Sequence, residues 1–375
     1  MNICIVAGAR PNFIKVAPLI HVIERLESSR PELQLSFRLV YTGREDDPTL
    51  EGTLFEDLQI AKPSVFLGVD CENLNELTGQ VMTAFEHYLQ THPTDVVIVV
   101  DDLASTMAVS IVTKKQGIRL AHIAAGTRSF DIKMPKEINR LVIDGLSDVL
   151  FTAGISNNSN ANRGGTELSK VYMVGNILMD TLRFNRSRWK EPTLSQPTSS
   201  FNLQPATSSL PTSYIVFTLN RKALIADEEN LKKMVEAVIA NANGVPVIAP
   251  LRGKAANVIE ELMRQQGFPP SSFIVHPPLS YLEFGWLTAH AMGIITDSGN
   301  VAEEATFNGV PCITLNSYTE HIETVKEGTN VLVGEDADLL GKHVADMVHG
   351  KWKEGAIPDR WDGRTAERIL QILME

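Results

Sequence analysis

Short apolar runs alternate with amphipathic stretches along almost the whole 375-residue chain. The first run, Ile3-Cys4-Ile5-Val6-Ala7, stops at Gly8-Ala9-Arg10-Pro11-Asn12, and Phe13, Ile14, Ala17, Ile20, Ile23 and Leu26 then recur with a helical period. A continuous apolar run bounded by turn residues reads as a buried strand, and the periodic stretch after it as a helix. The same pattern predicts strands over 36–41, 95–100, 119–123, 149–151 and 171–174, then over 214–218, 246–249, 273–275, 293–296, 311–315 and 330–333. Helices are predicted over 74–89 and 106–115, from Pro135 onward, and over 227–242, 255–265, 281–290, 301–307, 337–348 and 364–373. Strand–helix alternation implies parallel sheets covered on both faces. The fold class is therefore α/β, with two Rossmann-like doubly wound domains.

The length exceeds one typical core. Residues 185–213 are rich in Ser, Thr and Pro and weakly periodic, which predicts a linker with some disorder. The expected domains are 1–184 and 214–361, with a last helix, 362–375, packing back on the first. Ligands of doubly wound sheets sit at the carboxyl ends of strands, so two such domains facing a cleft are expected to hold a ligand there.

Composition narrows the function classes. A net charge of −11 with no long basic stripe argues against a nucleic-acid partner. The longest apolar runs, such as Val96–Val100, are too short to span a bilayer, so no membrane partner is expected. No positively charged segment precedes a long apolar one at the start, so no secretory signal is expected. Cys4, Cys71 and Cys312 are far apart and show no metal-ligand spacing. A reducing, cytoplasmic setting with no metal is the expectation.

Four places carry candidate chemistry. At residues 8–15 a strand, a turn and a helix start form a potential anion site, with Arg10 and Lys15 adding positive charge; the two cations are either phosphate ligands or solvated. Asp101-Asp102 end a strand, where carboxylates suit chemistry, yet Asp is also an ordinary helix N-cap. Glu137 and Arg140 share a helix face beside the charged loop carrying Arg128 and Asp131, as a site element or a surface ion pair. Thr296-Asp297-Ser298-Gly299-Asn300 form a second strand–turn–helix anion site. There Glu303 or Glu304 suits either the helix dipole or ribose hydroxyls. His122 in a buried strand reads as a satisfied core residue, and His276 as a loop residue.

Taken together, these motifs resemble the non-hydrolysing UDP-N-acetylglucosamine 2-epimerases over nearly the whole chain. The matching pieces are residues 8–15, Tyr41-Thr42-Gly43, 95–102, Ala125-Gly126 with Arg128, Pro135 with Glu137 and Asn139-Arg140, 227–233, 280–284, 296–304 and Thr319-Glu320. The resemblance implies the two-Rossmann glycosyltransferase-B fold, a homodimer and no cofactor. It implies interconversion of UDP-GlcNAc and UDP-ManNAc, by C2 proton removal with expulsion of UDP and re-addition of both. Such chemistry needs acid–base groups on both faces of C2 and cations or N–H dipoles for the departing diphosphate. By resemblance, Arg10, Lys15, Ser298, Gly299 and Arg221 bind the diphosphate or adjacent sugar, Glu304 the ribose, and Phe284 or its neighbours the uracil. Asp102, with Lys136 and Glu137, stands as the catalytic set, and Arg140 belongs to the substrate loop.

The same comparison shows departures. The family's Glu-Ala-Gly-Leu-Arg reads Ala124-Ala125-Gly126-Thr127-Arg128, and its Pro-Glu-Glu reads Pro135-Lys136-Glu137. Its His-Arg after the second domain's first strand reads Asn220-Arg221, its Gln-His after Thr-Gly reads Arg44-Glu45, and its Ser-Gly-Gly reads Ser298-Gly299-Asn300. The His-Pro-Arg expected near Leu251-Arg252 is missing. Alanine transfers no proton, and Lys136 does so near neutrality only if burial lowers its pKa. Three functions follow as alternatives. One is a divergent epimerase. Another is a catalytically degenerate UDP-sugar-binding paralogue, partnering an active epimerase as a heterodimer or regulating it. The third is a glycosyltransferase.

Overall fold

The computed structural model describes residues 1–50, 52–164, 169–194 and 210–375. The chain divides into two compact units, Met1–Arg186 with Asp359–Glu375, and Ser187–Pro358. Each is built on one parallel sheet.

In the first unit the strands are β1 (Asn2–Ala7), β2 (Ser36–Tyr41), β3 (Val65–Phe66), β4 (Val96–Val100), β5 (Arg119–Ile123), β6 (Val149–Thr152) and β7 (Lys170–Met173). They lie in the order β3-β2-β1-β4-β5-β6-β7, every pair parallel. In the second unit, β8 (Ile215–Phe217), β9 (Val247–Pro250), β10 (Phe273–His276), β11 (Gly293–Thr296), β12 (Cys312–Thr314) and β13 (Asn330–Leu332) lie in the order β10-β9-β8-β11-β12-β13. All five residues of β4 are buried, because helices cover both faces of the sheet. Chain order reverses between β1 and β4 in one sheet and between β8 and β11 in the other. Doubly wound sheets bind ligands beside such reversals. The loops that leave these four strands carry three of the four motifs noted in the sequence.

The pattern did not reveal β3, which is only two residues long. It also missed the helix Ile155–Gly164, whose Asn- and Ser-rich sequence has little apolar periodicity. The expected linker is in part ordered: the helix Ile177–Asn185 runs into its first position, and Leu194 is buried in the second unit's core. Residues 195–209 of that stretch lie outside the described residues.

The last helix, Thr365–Met374, packs on the first unit against the helices Arg10–Ser29 and Ile177–Asn185. Its first amides, Thr365 and Ala366, donate to the buried Asp180 carboxylate at 3.0 and 2.8 Å. Just before it, Trp361 is 2% exposed and its Nε1 donates to the Ala153 carbonyl at 3.0 Å. Trp361 thus belongs to the first unit, not to the end of the second as expected. Gly175 has φ +100, and a Cβ there would lie 2.0 Å from the Arg360 carbonyl oxygen, so only glycine admits this close approach of the two backbones.

Asp180 replaces the missing side-chain cap of the last helix. Asp180→Ala should lower stability by about 1–3 kcal/mol, read as a shift in the denaturation midpoint. Burial raises the Asp180 carboxyl to about 6, against the lowering effect of the Ala366 and Thr365 amides. A native pKa above the unfolded value means the folded state binds the proton more tightly. The proton-linked part of its contribution is therefore full below the ordinary aspartate range and is lost as pH rises through about 6, while the two amide bonds to the carboxylate persist. Asp180→Asn should flatten that part of the stability–pH curve; an unchanged curve would refute the assignment.

No helix among the described residues is long and apolar enough to cross a membrane.

Candidate active site

In the first unit the strand-end loops are organised by side chains. The turn after β1 was expected to present bare amides to an anion, and it does not. Asn12 Oδ1 accepts from the Gly8 and Ala9 amides at 2.9 and 3.2 Å, the Asn12 amide donates to the Ala9 carbonyl, and Pro11 has no N–H. Gly8 serves close packing instead, since a Cβ there would lie 2.2 Å from Ser105 Oγ. Lys15 is buried, with Nζ 2.6 Å from Asp101 Oδ1, and Asn12 Nδ2 donates to Asp101 Oδ2 at 3.0 Å. Arg10 is half-buried at the start of this helix.

Neither Asp101 nor Asp102 caps the following helix, Ala104–Lys115, whose N-cap is Leu103 without a side-chain bond. The two carboxylates serve different partners. Asp101 has φ +61 and turns to Lys15 and Asn12. Asp102 Oδ2 takes Arg140 Nε and Nη2 at 2.8 and 2.6 Å, while its Oδ1 lies 3.6 Å from Lys136 Nζ. Asn139 Nδ2 holds the Asp102 carbonyl at 2.8 Å. The Lys136 side chain is 62% exposed, so the burial its proton-transfer role requires is absent.

Glu137 is buried at the start of the helix Pro135–Leu146. It accepts from the Ser129 amide and hydroxyl, both at 2.8 Å, and from Arg140 Nη1 at 3.2 Å. Burial alone would raise its carboxyl, but the Ser129 and Arg140 bonds outweigh it and hold the group below the usual glutamate range. Glu137 is therefore the anchor of the 129–134 loop rather than a poised proton carrier. Ala124, directly after β5, has φ +66.

A second network lies beneath. Asp144 Oδ1 meets His122 Nδ1 at 2.7 Å, and Oδ2 meets the Gly126 amide at 3.0 Å and Arg128 Nη2 at 2.7 Å. The sequence reading passed over Asp144. Its signal was a lone carboxylate inside the apolar run Leu141-Val142-Ile143-Asp144-Gly145-Leu146.

In the second unit, Asp297 Oδ2 accepts from the Asn220 and Arg221 amides at 2.7 and 2.6 Å, joining the loops after β8 and β11. The Ser298 amide donates to Thr296 Oγ1 at 3.0 Å, so it is not offered to a ligand. The helix Gly299–Asn308 starts at Ser298 with no side-chain cap on its first turn. Such a start favours anions. His321 sits over it: a Cβ on Gly299 would lie 2.8 Å from His321 Nε2, and His321 Nδ1 is 2.8 Å from the buried Glu303. Arg221 Nη2 donates to the Leu315 carbonyl at 3.1 Å and pairs with Glu335. Glu304 is buried one residue beyond Glu303, and Phe284 packs against the core containing Tyr214 and Ile294. The second unit thus holds Arg221, Phe284, Ser298, Gly299 and Glu304, and the first holds Arg10, Lys15, Asp102, Lys136, Glu137 and Arg140.

Two doubly wound parallel sheets, each with charged strand-end loops at its order reversal, define a protein of the glycosyltransferase-B-like α/β class. Within that class, the family model described as UDP-N-acetylglucosamine 2-epimerase matches residues 27–374, and the chain belongs to that family. It is 31% identical to the UDP-N-acetylglucosamine 2-epimerase of Methanocaldococcus jannaschii over 380 aligned residues, covering 100% of this chain and 99% of that protein. It is 33% identical to the UDP-2,3-diacetamido-2,3-dideoxy-D-glucuronate 2-epimerase of Pseudomonas aeruginosa, covering 91% of this chain and 90% of that protein. The solved M. jannaschii enzyme, in complex with UDP-GlcNAc and UDP, matches with a TM-score of 0.80 at 31% identity, covering 100% of this chain and 99% of that one.

Proposed function

We propose that this protein binds a UDP-N-acetylhexosamine and lacks the proton-transfer pair for efficient C2 epimerisation. The observation that carries this reading is the set of groups at the strand ends of the first unit. Ala124 stands where the family resemblance places a glutamate. Lys136 is exposed where it places another, and Glu137 is held ionised by Ser129 and Arg140. Asp102 is left as the carboxylate facing the substrate loop, tied to Arg140.

Binding machinery persists by contrast. The uncapped start of Gly299–Asn308 suits a diphosphate, and Glu304 and Phe284, which lie on the same unit, support a nucleoside beside it. The binding partner is therefore UDP or a UDP-HexNAc, and the protein acts alone, as a homodimer, or beside an active paralogue.

Calorimetry with UDP and UDP-GlcNAc, run beside C2 deuterium uptake in heavy water, tests the proposal. Binding of either nucleotide without measurable uptake is the expected result. Turnover at rates ordinary for enzymes (on the order of 1–10³ per second) would refute the loss of chemistry, and no binding at millimolar ligand would refute the binding.

A further inference from the structure

His122 is 2% exposed on β5, and the proposed chemistry does not use it. Its Nδ1 faces Asp144 Oδ1 at 2.7 Å, and its Nε2 faces the Asp101 carbonyl oxygen at 3.0 Å. A carbonyl oxygen only accepts, and an ionised carboxylate only accepts. A neutral imidazole has one N–H and one bare lone pair, so neither tautomer satisfies both contacts. Flipping the ring places carbon at both positions and satisfies neither. A proton on Asp144 would solve the count differently. Yet its other oxygen already takes the Gly126 amide and Arg128 Nη2, both of which favour the carboxylate.

We infer that His122 is a buried imidazolium, braced by Asp144, that acts as a positioning residue by gripping the Asp101 carbonyl. The part of this inference that concerns ligands rests on the reading under Proposed function. The grip falls where the backbone needs it. Asp101 sits at φ +61, a left-handed conformation that is uncommon outside glycine and that aspartate adopts when its surroundings hold it. That bend sends two consecutive carboxylates to different partners, Asp101 to Lys15 and Asp102 to Arg140. Ala124, two residues beyond His122, has φ +66, and its neighbour Gly126 is tied to the same Asp144. One carboxylate and one ring thus fix both strand-end loops that flank the expected sugar position. A charge-assisted N–H bond to a carbonyl is the stronger kind, and it leaves the ring itself away from any ligand.

The test has two arms. In the unliganded full chain at neutral pH, nitrogen-15 spectra of histidine-labelled protein should show His122 with a proton on both ring nitrogens. A bare ring nitrogen at His122 would overturn the inference. In the second arm, His122→Gln keeps one donor and loses the double grip. The ratio of the Kd values for UDP and UDP-GlcNAc should then shift by about tenfold, with UDP itself bound within twofold of the parent. An unchanged ratio in the folded variant would overturn the positioning role. If that variant does not fold, Asp144→Asn takes its place, with the same expected shift and the same refuting result. If the parent binds neither nucleotide, the proposed function fails, and the ring-nitrogen spectrum alone decides for or against the imidazolium.

Discussion

Replacing Ala124 and Lys136 together by glutamate (A124E/K136E) should raise C2 deuterium uptake from heavy water into UDP-GlcNAc by at least ~10²-fold over the parent. A positioned acid–base group contributes typically ~10²–10⁴ in rate, and both positions now lack a carboxylate. The surroundings to receive them exist. Ala124 follows directly on β5 with its loop pinned through Gly126 and Arg128 to Asp144. Glutamate there meets the same left-handed backbone as alanine, so the substitution adds little strain of its own. At position 136 a carboxylate would replace an ammonium lying 3.6 Å from Asp102 Oδ1. Two carboxylates sharing such a site raise one another's proton affinity, which is the condition for one to act as acid near neutrality. The single variants should each recover less than the pair, because one face of C2 would still lack its partner. A folded double variant that binds UDP-GlcNAc and exchanges no C2 proton would show that the deficit lies elsewhere, for example at Asn220.

The sequence made the strands legible because parallel strands are buried on both faces and read as unbroken apolar runs, as in Val96–Val100. It hid the helix Ile155–Gly164, since its Asn- and Ser-rich sequence has weak helix propensity and little apolar periodicity. The site divided along similar lines. Glu137 and Arg140 are one helical turn apart, so their pairing was visible. Lys15 and Asp101 are 86 positions apart, and only the adjacency of β1 and β4 brings them together. A basic residue one helical turn past the strand end therefore looked like a phosphate ligand when it is paired inside the fold. Asn12 misled in the same way, because a short polar side chain after a glycine turn gives no sign that it will take the Gly8 and Ala9 amides for itself. His122 read correctly as satisfied, but the consequence of two acceptors on one ring needs coordinates.

Asp144→Ala should cost about 3–5 kcal/mol of stability, the range for removing one partner of a buried charged set. Asp144 has 0% exposure and takes His122, Arg128 and the Gly126 amide at once. Without it, two buried cationic or polar groups and one amide lose their acceptor. Burial alone would raise the Asp144 carboxyl, but the bonds and charges of His122 and Arg128 outweigh burial and hold it below the ordinary aspartate range. A depressed native value means the stabilisation is fully present above the unfolded aspartate range. It is lost only as pH falls through the depressed native value. The variant should therefore unfold well before the parent at neutral pH and differ less from it in strong acid. The exposed pair Arg25–Glu367 supplies the contrast, with side chains 59% and 48% exposed. Surface pairs contribute about 0–1 kcal/mol, so Glu367→Ala should move the denaturation midpoint little. If Asp144→Ala and Glu367→Ala shift that midpoint equally, the buried network is not what holds the two loops, and the inference drawn from His122 loses its support with it.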